Sequence, residues 1–254
     1  MKDVLLIIPA FNEEASIGDL LDKLTEDKSL DFLDILVIND ASQDTTSYVV
    51  KEYPNVEIIS HIFNLGYGSA LQLGYKYAVR HGYKYIIQID ADGQHDICNI
   101  NALYKSLTTP DTDGKIPDIV IGSRFFRSSV SFPISGVKKL SIGFFRWIIK
   151  KTTGQAILDP TSGLQGLDRS AFLYYSVYQN FDYDYPDANM IIQMLLMGYK
   201  VKEIPSVMHI RTAGKSMHSG IIKPMVYMLT MPLSILAVYF RTRHGKQKRL
   251  VEWQ

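Results

Sequence analysis

Two carboxylates two residues apart are the most informative feature of the sequence. Asp90 and Asp92 directly follow an apolar run at residues 85–89, in the segment Asp-Ala-Asp-Gly-Gln-His. Carboxylate oxygens suit Mg²⁺ and Mn²⁺, which keep other coordination positions for water and substrate phosphates. Gln94 could add a neutral oxygen ligand. The pattern favours a metal site that neutralises a diphosphate, and an Asp-x-Asp turn at the surface is the alternative interpretation.

Three more polar clusters follow apolar runs in the same way. They are Pro-Ala-Phe-Asn-Glu-Glu at 9–14, Asn-Asp-Ala-Ser-Gln-Asp at 39–44 and Gly-Ser-Arg at 122–124. Any one of them could be a helix cap, as Asp44 before two threonines illustrates. Another segment, Asn-Leu-Gly-Tyr-Gly-Ser at 64–69, is either a tight turn into a helix or a place where backbone approaches a ligand. It does not match the dinucleotide-binding glycine pattern.

The elements that must position these clusters alternate along the chain. Short runs rich in Val and Ile predict strands at 4–8, 35–38, 56–59, 85–89 and 119–121, and helical spacing occurs at 13–24, 44–51, 69–80 and 97–107. This alternation predicts an α/β fold with a mostly parallel sheet flanked by helices. Ligands bind at the carboxyl ends of the strands in such sheets, which is where the polar clusters fall.

Seven segments in this order resemble the family 2 glycosyltransferases, which have the Rossmann-like GT-A fold. They are IIPAFNEE, VINDASQDTT, NLGYGSALQLGYKYA, YIIQIDADGQHD, IVIGSRF, DPTSGLQGLDRSAF and GYKVKEIPSVMHIRTAGKS, and they span residues 5–216. The branch that the chain resembles most is the dolichyl- and polyprenyl-phosphate sugar synthases. Their D-A-D-x-Q metal motif is matched by Asp90, Asp92 and Gln94.

The resemblance implies a role for individual residues of this chain. It implies that Pro9, Phe11 and Glu13 contact the nucleotide and that Ile38 and Asp40 contact its base. It places Asp90 near the nucleotide and the metal, with Asp92 and Gln94 as metal ligands. The cations implied near the phosphates are Arg124 and, in a late basic loop, Arg211 and Lys215.

Asp159 matches the position proposed as general base in related enzymes, and the importance of such a base depends on the acceptor. A phosphate acceptor is already ionised near neutral pH, whereas a sugar hydroxyl needs a base. A turn-forming Asp-Pro pair is the alternative interpretation. The chain also departs from the family pattern: Leu164-Gln165 stands where Phe-Arg is usual, which removes a cation, and Asn39 replaces a common Asp.

Composition excludes several classes of protein. A net charge of +1 argues against a nucleic-acid binder, and one cysteine, Cys98, excludes a disulfide framework. The start of the chain does not read as a signal peptide. His61, His81, His209 and His218 have no metal-ligand spacing, so we expect structural or surface roles for them.

Two segments predict contact with a membrane surface. Residues 138–151 form a basic amphipathic helix with Trp147, although a helix packed against the sheet has the same pattern. Residues 221–240 are apolar, contain Pro224 and Pro232, and precede five basic residues. We expect a glycosyltransferase domain at 1–218 and a segment at 219–254 that lies on the cytoplasmic leaflet rather than spanning it. A small membrane partner protein is a further hypothesis.

The predicted function is an inverting glycosyltransferase that uses Mg²⁺ or Mn²⁺. The donor is a nucleotide diphosphate sugar, with a UDP-sugar preferred, and the acceptor is polyprenyl phosphate. The first alternative acceptor is a hydroxyl of a lipid-linked saccharide in cell-surface polysaccharide synthesis. A second alternative is a non-catalytic nucleotide-binding scaffold. Tyr183, Tyr185 and Asp187 either line the acceptor pocket or have a packing role.

Overall fold

A seven-stranded sheet forms the centre of the fold in the computed structural model, which describes residues 2–130, 136–184, 186–210 and 222–244. The strand order is β3-β2-β1-β4-β6-β5-β7. The strands are β1 Val4–Ala10, β2 Leu33–Asn39, β3 Val56–Ser60, β4 Tyr85–Gln88, β5 Ile119–Ser123, β6 Gln165–Asp168 and β7 Val201–Pro205.

Only β6 runs against the other described strands. β1 is parallel to β2 and β4, β2 to β3, and β5 to β7, whereas β6 pairs antiparallel with both β4 and β5. Six carboxyl ends therefore lie at one edge of the sheet, and the chain enters β6 at that same edge. This topology confirms the α/β prediction and brings the segment around Asp159 to the edge where the other polar clusters lie.

Eight described helices flank the sheet. They are α1 Ile17–Glu26, α2 Thr46–Lys51, α3 Tyr67–Arg80, α4 Cys98–Thr108, α5 Gly136–Thr153, α6 Arg169–Ser176, α7 Ala188–Leu196 and α8 Ile222–His244. The predicted start of the first helix at Glu13 is wrong, because α1 begins at Ile17. Residues 12–16 instead bind the start of α2: the Glu13 N–H donates to Thr46 Oγ1 at 2.9 Å, and Thr45 donates to Glu14 Oε2.

The sheet has a packed apolar layer on each face, as a mostly parallel sheet requires. Leu5, Ile7, Leu36 and Ile38 point into one layer, where they meet α3 and the later helices. The next residues along β1 and β2 point into the other layer, against α1, α2 and α4. Because successive side chains of a strand point to opposite faces of the sheet, each buried strand contributes to both layers.

Helix α8 packs against the body with one side and exposes apolar residues on another. Met231 and Ile235 are buried in the same apolar layer as α3 and α7, whereas Leu233, Leu236 and Phe240 are exposed. The predicted domain boundary between residues 218 and 219 lies outside the described residues. Among the described helices, none has the length and apolar character needed to cross a bilayer.

Helix α5 is amphipathic, and Trp147, the residue named in the predicted helix, does not lie on its buried side. Ile142, Phe145 and Ile149 are buried, while Leu140 is 76% and Trp147 61% exposed. Leu140 and Trp147 are seven residues apart, so they lie on one face of the helix.

Candidate functional site

The carboxylate pair lies where β4 ends, at the carboxyl edge of the sheet. The Asp90 side chain is one-third exposed, and its Oδ1 accepts a hydrogen bond of 3.0 Å from the Tyr67 hydroxyl at the start of α3. Asp92 is buried, and its Oδ1 accepts from the main-chain N–H of Gln94. Burial and, after it, the neighbouring Asp90 carboxylate raise the pKa of Tyr67 well above its ordinary value, so this phenol stays protonated and donates to Asp90.

The residues at this position fit a hard divalent cation. A Cβ at Gly163 would lie 2.9 and 3.0 Å from the two oxygens of Asp90, so the glycine leaves that side of the carboxylate open. Within the described residues, no cluster of three or more His, Cys, Asp or Glu side chains is arranged to hold a metal. A cation held by the two carboxylates and the glutamine would take its remaining ligands from substrate and water, as Mg²⁺ sites at phosphates commonly do.

The carboxylate loop is fastened to the chain that follows β7. The His209 N–H donates to the Gln94 carbonyl at 2.7 Å, and Gln94 Nε2 lies 3.4 Å from the His209 carbonyl. His95 is buried beside Asp90, with its Nε2 3.8 Å from Asp90 Oδ2. Burial lowers the pKa of His95 to about 4 despite nearby Asp92, so this imidazole is neutral at pH 7.

Arg124 and Asp159 form a buried bidentate ion pair. Arg124 Nε and Nη2 donate to the two Asp159 oxygens at 2.7 and 2.6 Å, and the Arg124 main-chain N–H donates to Asp159 Oδ2 at 3.0 Å. The Asp159 side chain is 0% exposed. Glu203 on β7 accepts the N–H groups of Leu158 and Asp159 at 2.6 and 2.7 Å, which holds this loop against the sheet. The geometry favours Asp159 as the anchor of Arg124 over Asp159 as a proton acceptor.

Asp40 has a similar anchoring geometry. It is buried, and its oxygens accept the N–H groups of Leu65 and Gly66 at 2.9 and 2.8 Å, with His61 Nδ1 2.6 Å from Oδ1. The predicted base contact therefore stays a prediction, because these bonds tie the carboxylate to the loop before α3. Ala41, the next residue, has φ of +58°, an uncommon conformation for a residue with a Cβ.

The remaining predicted nucleotide residues lie near the carboxyl ends of β1 and β2. Pro9 is buried in β1, and the Ile38 side chain is fully buried in the core, which leaves only its main chain for a base contact. Phe11 is 43% exposed beyond β1. Glu13 accepts a hydrogen bond from Ser16 Oγ at 2.9 Å. Arg211, Lys215 and Tyr185 lie outside the described residues, so their predicted roles stay predictions.

The fold also brings Lys138 and Asp187 to this edge, and Asp187 is one of the residues for which the sequence left a role in the acceptor pocket open. Lys138 lies in the first turn of α5; burial and Arg124 lower its pKa, whereas Asp159, Asp187 and Asp90 raise it. Burial raises the pKa of Asp187 to about 6. The sequence did not predict the contacts of Tyr67 and His61, although Tyr67 lies in the segment at 64–69 and His61 follows a predicted strand. Their partners, Asp90 and Asp40, are 23 and 21 residues away in sequence.

Comparison with known proteins agrees with this fold. The family description "Glycosyl transferase family 2" matches residues 5–175. A dolichyl-phosphate beta-glucosyltransferase of Trichomonas vaginalis is 30% identical over 231 residues, which cover 86% of this chain and 69% of that protein. An undecaprenyl-phosphate mannosyltransferase of Micrococcus luteus is 26% identical over 225 residues, or 85% of this chain and 88% of that protein.

A solved structure shows the same architecture. Glucosyl-3-phosphoglycerate synthase of Mycobacterium tuberculosis, in complex with Mn²⁺ and UDP-glucose, superimposes with a TM-score of 0.61 at 16% identity, over 94% of this chain and 79% of that chain. At that identity the likeness shows the fold. The chain belongs to glycosyl transferase family 2. This confirms the family resemblance and the GT-A fold expected from the sequence, including the polyprenyl-phosphate synthase branch.

Proposed function

We propose that this protein transfers a sugar from a nucleotide diphosphate sugar, a UDP-sugar in the first instance, to polyprenyl phosphate at the cytoplasmic face of a membrane. The main support is the electrostatic interaction of Asp90 with Arg124 and Lys138, beside the Arg124–Asp159 pair, at one edge of the sheet. Carboxylates suited to a metal and cations suited to a phosphate lie in one electrostatic neighbourhood. The names of the two relatives support the acceptor class.

Asp90, Asp92 and Gln94 would hold Mg²⁺ or Mn²⁺, and the bound ion would neutralise the diphosphate leaving group. Tyr67 orients the Asp90 carboxylate from the opposite element, α3. Asp40 and His61 set the loop that opens α3. These contacts fix the donor side of the site before substrate arrives, which reduces the reorganisation that catalysis requires.

The acceptor side is cationic. Asp159 holds the Arg124 guanidinium in place. Lys138 lies close enough to Arg124 for the two charges to interact. A dianionic phosphate placed beside them would attack the anomeric carbon from the face opposite the diphosphate, which inverts the configuration. Arg211 and Lys215 are proposed to close over the two phosphate groups. No proton has to leave a phosphate dianion, which agrees with the paired state of Asp159.

Exposed apolar side chains favour attachment to a membrane surface. Leu140 and Trp147 on α5, and Leu236 and Phe240 on α8, are exposed. Arg241 and Arg243 lie in the last turn of α8. An interfacial helix of this composition inserts its apolar face and attracts anionic headgroups. A small membrane partner protein remains a separate prediction.

The test uses detergent-solubilised protein, a panel of nucleotide sugars with Mn²⁺ or Mg²⁺, and undecaprenyl phosphate. The proposal predicts one metal-dependent glycolipid. A product formed only with a lipid-linked saccharide would favour the hydroxyl acceptor instead. Nucleotide binding without turnover on either acceptor would favour a scaffold.

A further inference from the structure

Asp187 is a partly buried carboxylate that the donor and acceptor roles above do not use. It precedes α7, and its side chain turns towards α8 instead of capping its own helix. Among the described residues, the charged and titratable groups that act on it or are affected by its charge come from six other helices and loops. They are Tyr67, Asp90, Arg124, Lys138, Asp159 and Tyr227.

Helix α8 supplies the direct partner of this carboxylate. The Tyr227 hydroxyl donates to Asp187 Oδ2 at 2.9 Å. The Tyr227 ring is buried and packs edge-on against Phe145 of α5, with ring centroids 5.7 Å apart and an interplanar angle of 83°. The ring is therefore fixed by packing, while its hydroxyl is the only part of it that reaches the carboxylate. This contact lies outside residues 5–175, which the family description matches.

We propose that Tyr227 is a positioning residue that fixes the Asp187 carboxylate towards Arg124 and Lys138, so that helix α8 forms part of the acceptor side of the active site. This inference rests on the proposed function. Ionised Asp187 reduces the repulsion between Arg124 and Lys138, because its charge acts on both cations. The segment expected to contact the membrane then also shapes the site that receives the lipid phosphate.

The hydrogen bond has a measurable consequence. Burial raises the pKa of Asp187 to about 6, and the Tyr227 hydroxyl opposes that shift because it stabilises the ionised form. Removal of the hydroxyl raises this pKa further. Since the ionised form is the positioning form, activity then falls at a higher pH than in the wild type.

The experiment compares pH–rate profiles of wild-type protein and Tyr227→Phe, which keeps the ring against Phe145. The acid limb of the Tyr227→Phe profile is expected to move up by about one pH unit. The free energy of a hydrogen bond to a charged group corresponds to a pKa shift of about that size. Tyr239→Phe, which removes another α8 hydroxyl that accepts from Arg243, is the matched control and should leave the limb in place. Ionisation of the acceptor phosphate, also near pH 6, is common to all variants.

The Asp187→Asn background separates positioning from general damage to the helix. Profiles of Asp187→Asn and of the Asp187→Asn, Tyr227→Phe double variant should superimpose, because the hydroxyl then has no carboxylate to act on. Superposition of Tyr227→Phe on wild type, or an equal rate loss in both backgrounds, would overturn the inference.

Failure of the proposed function is distinguishable from failure of this inference. If wild-type protein makes no glycolipid, the proposed function fails, and the link is read from unfolding free energy against pH. The pH window over which wild-type stability changes near pH 6 should then move upward in Tyr227→Phe. An unmoved window would refute the Tyr227–Asp187 link itself.

Discussion

Asp159→Asn separates an anchoring role for Asp159 from a role as general base. The change keeps the shape of the side chain and removes the charge that compensates buried Arg124. Three hydrogen bonds of 2.6 to 3.0 Å join the two residues, and an amide can accept only part of them. Breaking a buried pair by removing one partner costs about 3 to 5 kcal/mol. Because Arg124 retains a 2.9 Å bond to Thr161 Oγ1, we expect the lower end, about 3 kcal/mol.

The assay is urea unfolding followed by circular dichroism, alongside turnover measured in the same preparation. The double variant Arg124→Met, Asp159→Leu removes both charges and is the control. It should recover most of the lost stability, since no charge is left buried, and it should remain inactive because the phosphate-binding cation is gone. An Asp159→Asn protein as stable as wild type but without turnover would refute the anchoring account and favour a base.

Three further predictions concern the carboxylate loop and the acceptor side. Gly163→Ala places a Cβ against Asp90 and should raise the Mn²⁺ concentration needed for donor binding about tenfold. Gly143→Ala, whose Cβ meets open space, is the control. If both variants need the same Mn²⁺ concentration, Gly163 does not keep that side of the Asp90 carboxylate open. His95 has a pKa of about 4 in the fold, below its unfolded value, so stability should fall by up to about 3 kcal/mol from pH 6.5 to 4 in metal-free protein. Urea titrations of His95→Asn should show an unfolding free energy that depends less on pH over this range. A pH dependence equal to that of wild type would exclude a neutral buried imidazole. Asp187 has a pKa of about 6, above its unfolded value, so its ionisation reduces stability as pH rises from about 4 to 6. Asp187→Asn should therefore be more stable than wild type at pH 8 by about 3 kcal/mol, with a reduced but measurable turnover. Equal stabilities at pH 8 would show that ionised Asp187 carries no burial cost.

The features that the sequence predicts well are local. The strands β1, β2 and β4 are continuous apolar runs, and each is followed by its polar cluster, so both the sheet and its ligand edge follow from adjacent residues. β6 was not predicted because its four residues, Gln-Gly-Leu-Asp, have no apolar run and pair only in the context of β4 and β5. β7 was missed for a similar reason, since Lys202 and Glu203 interrupt it.

The pairings between site residues depend on distant parts of the chain. Arg124 meets Asp159 across 35 residues, and Tyr227 meets Asp187 across 40. No spacing rule connects such positions, because the antiparallel entry of β6 and the packing of α8 on α7 create the contacts. Residue types alone therefore indicate which groups could do chemistry, while the fold decides which of them are already paired.

Glycolipid formation on undecaprenyl phosphate, compared with the uncharged alcohol undecaprenol, tests the central claim most directly. The assay uses the nucleotide sugar that the protein consumes, Mn²⁺ and detergent-solubilised protein, with Asp92→Ala as the inactive control. The account predicts a single glycosylated phosphate lipid, no product on the alcohol and no product from the variant. Transfer to the alcohol as well as to the phosphate, or undiminished product from Asp92→Ala, would contradict it.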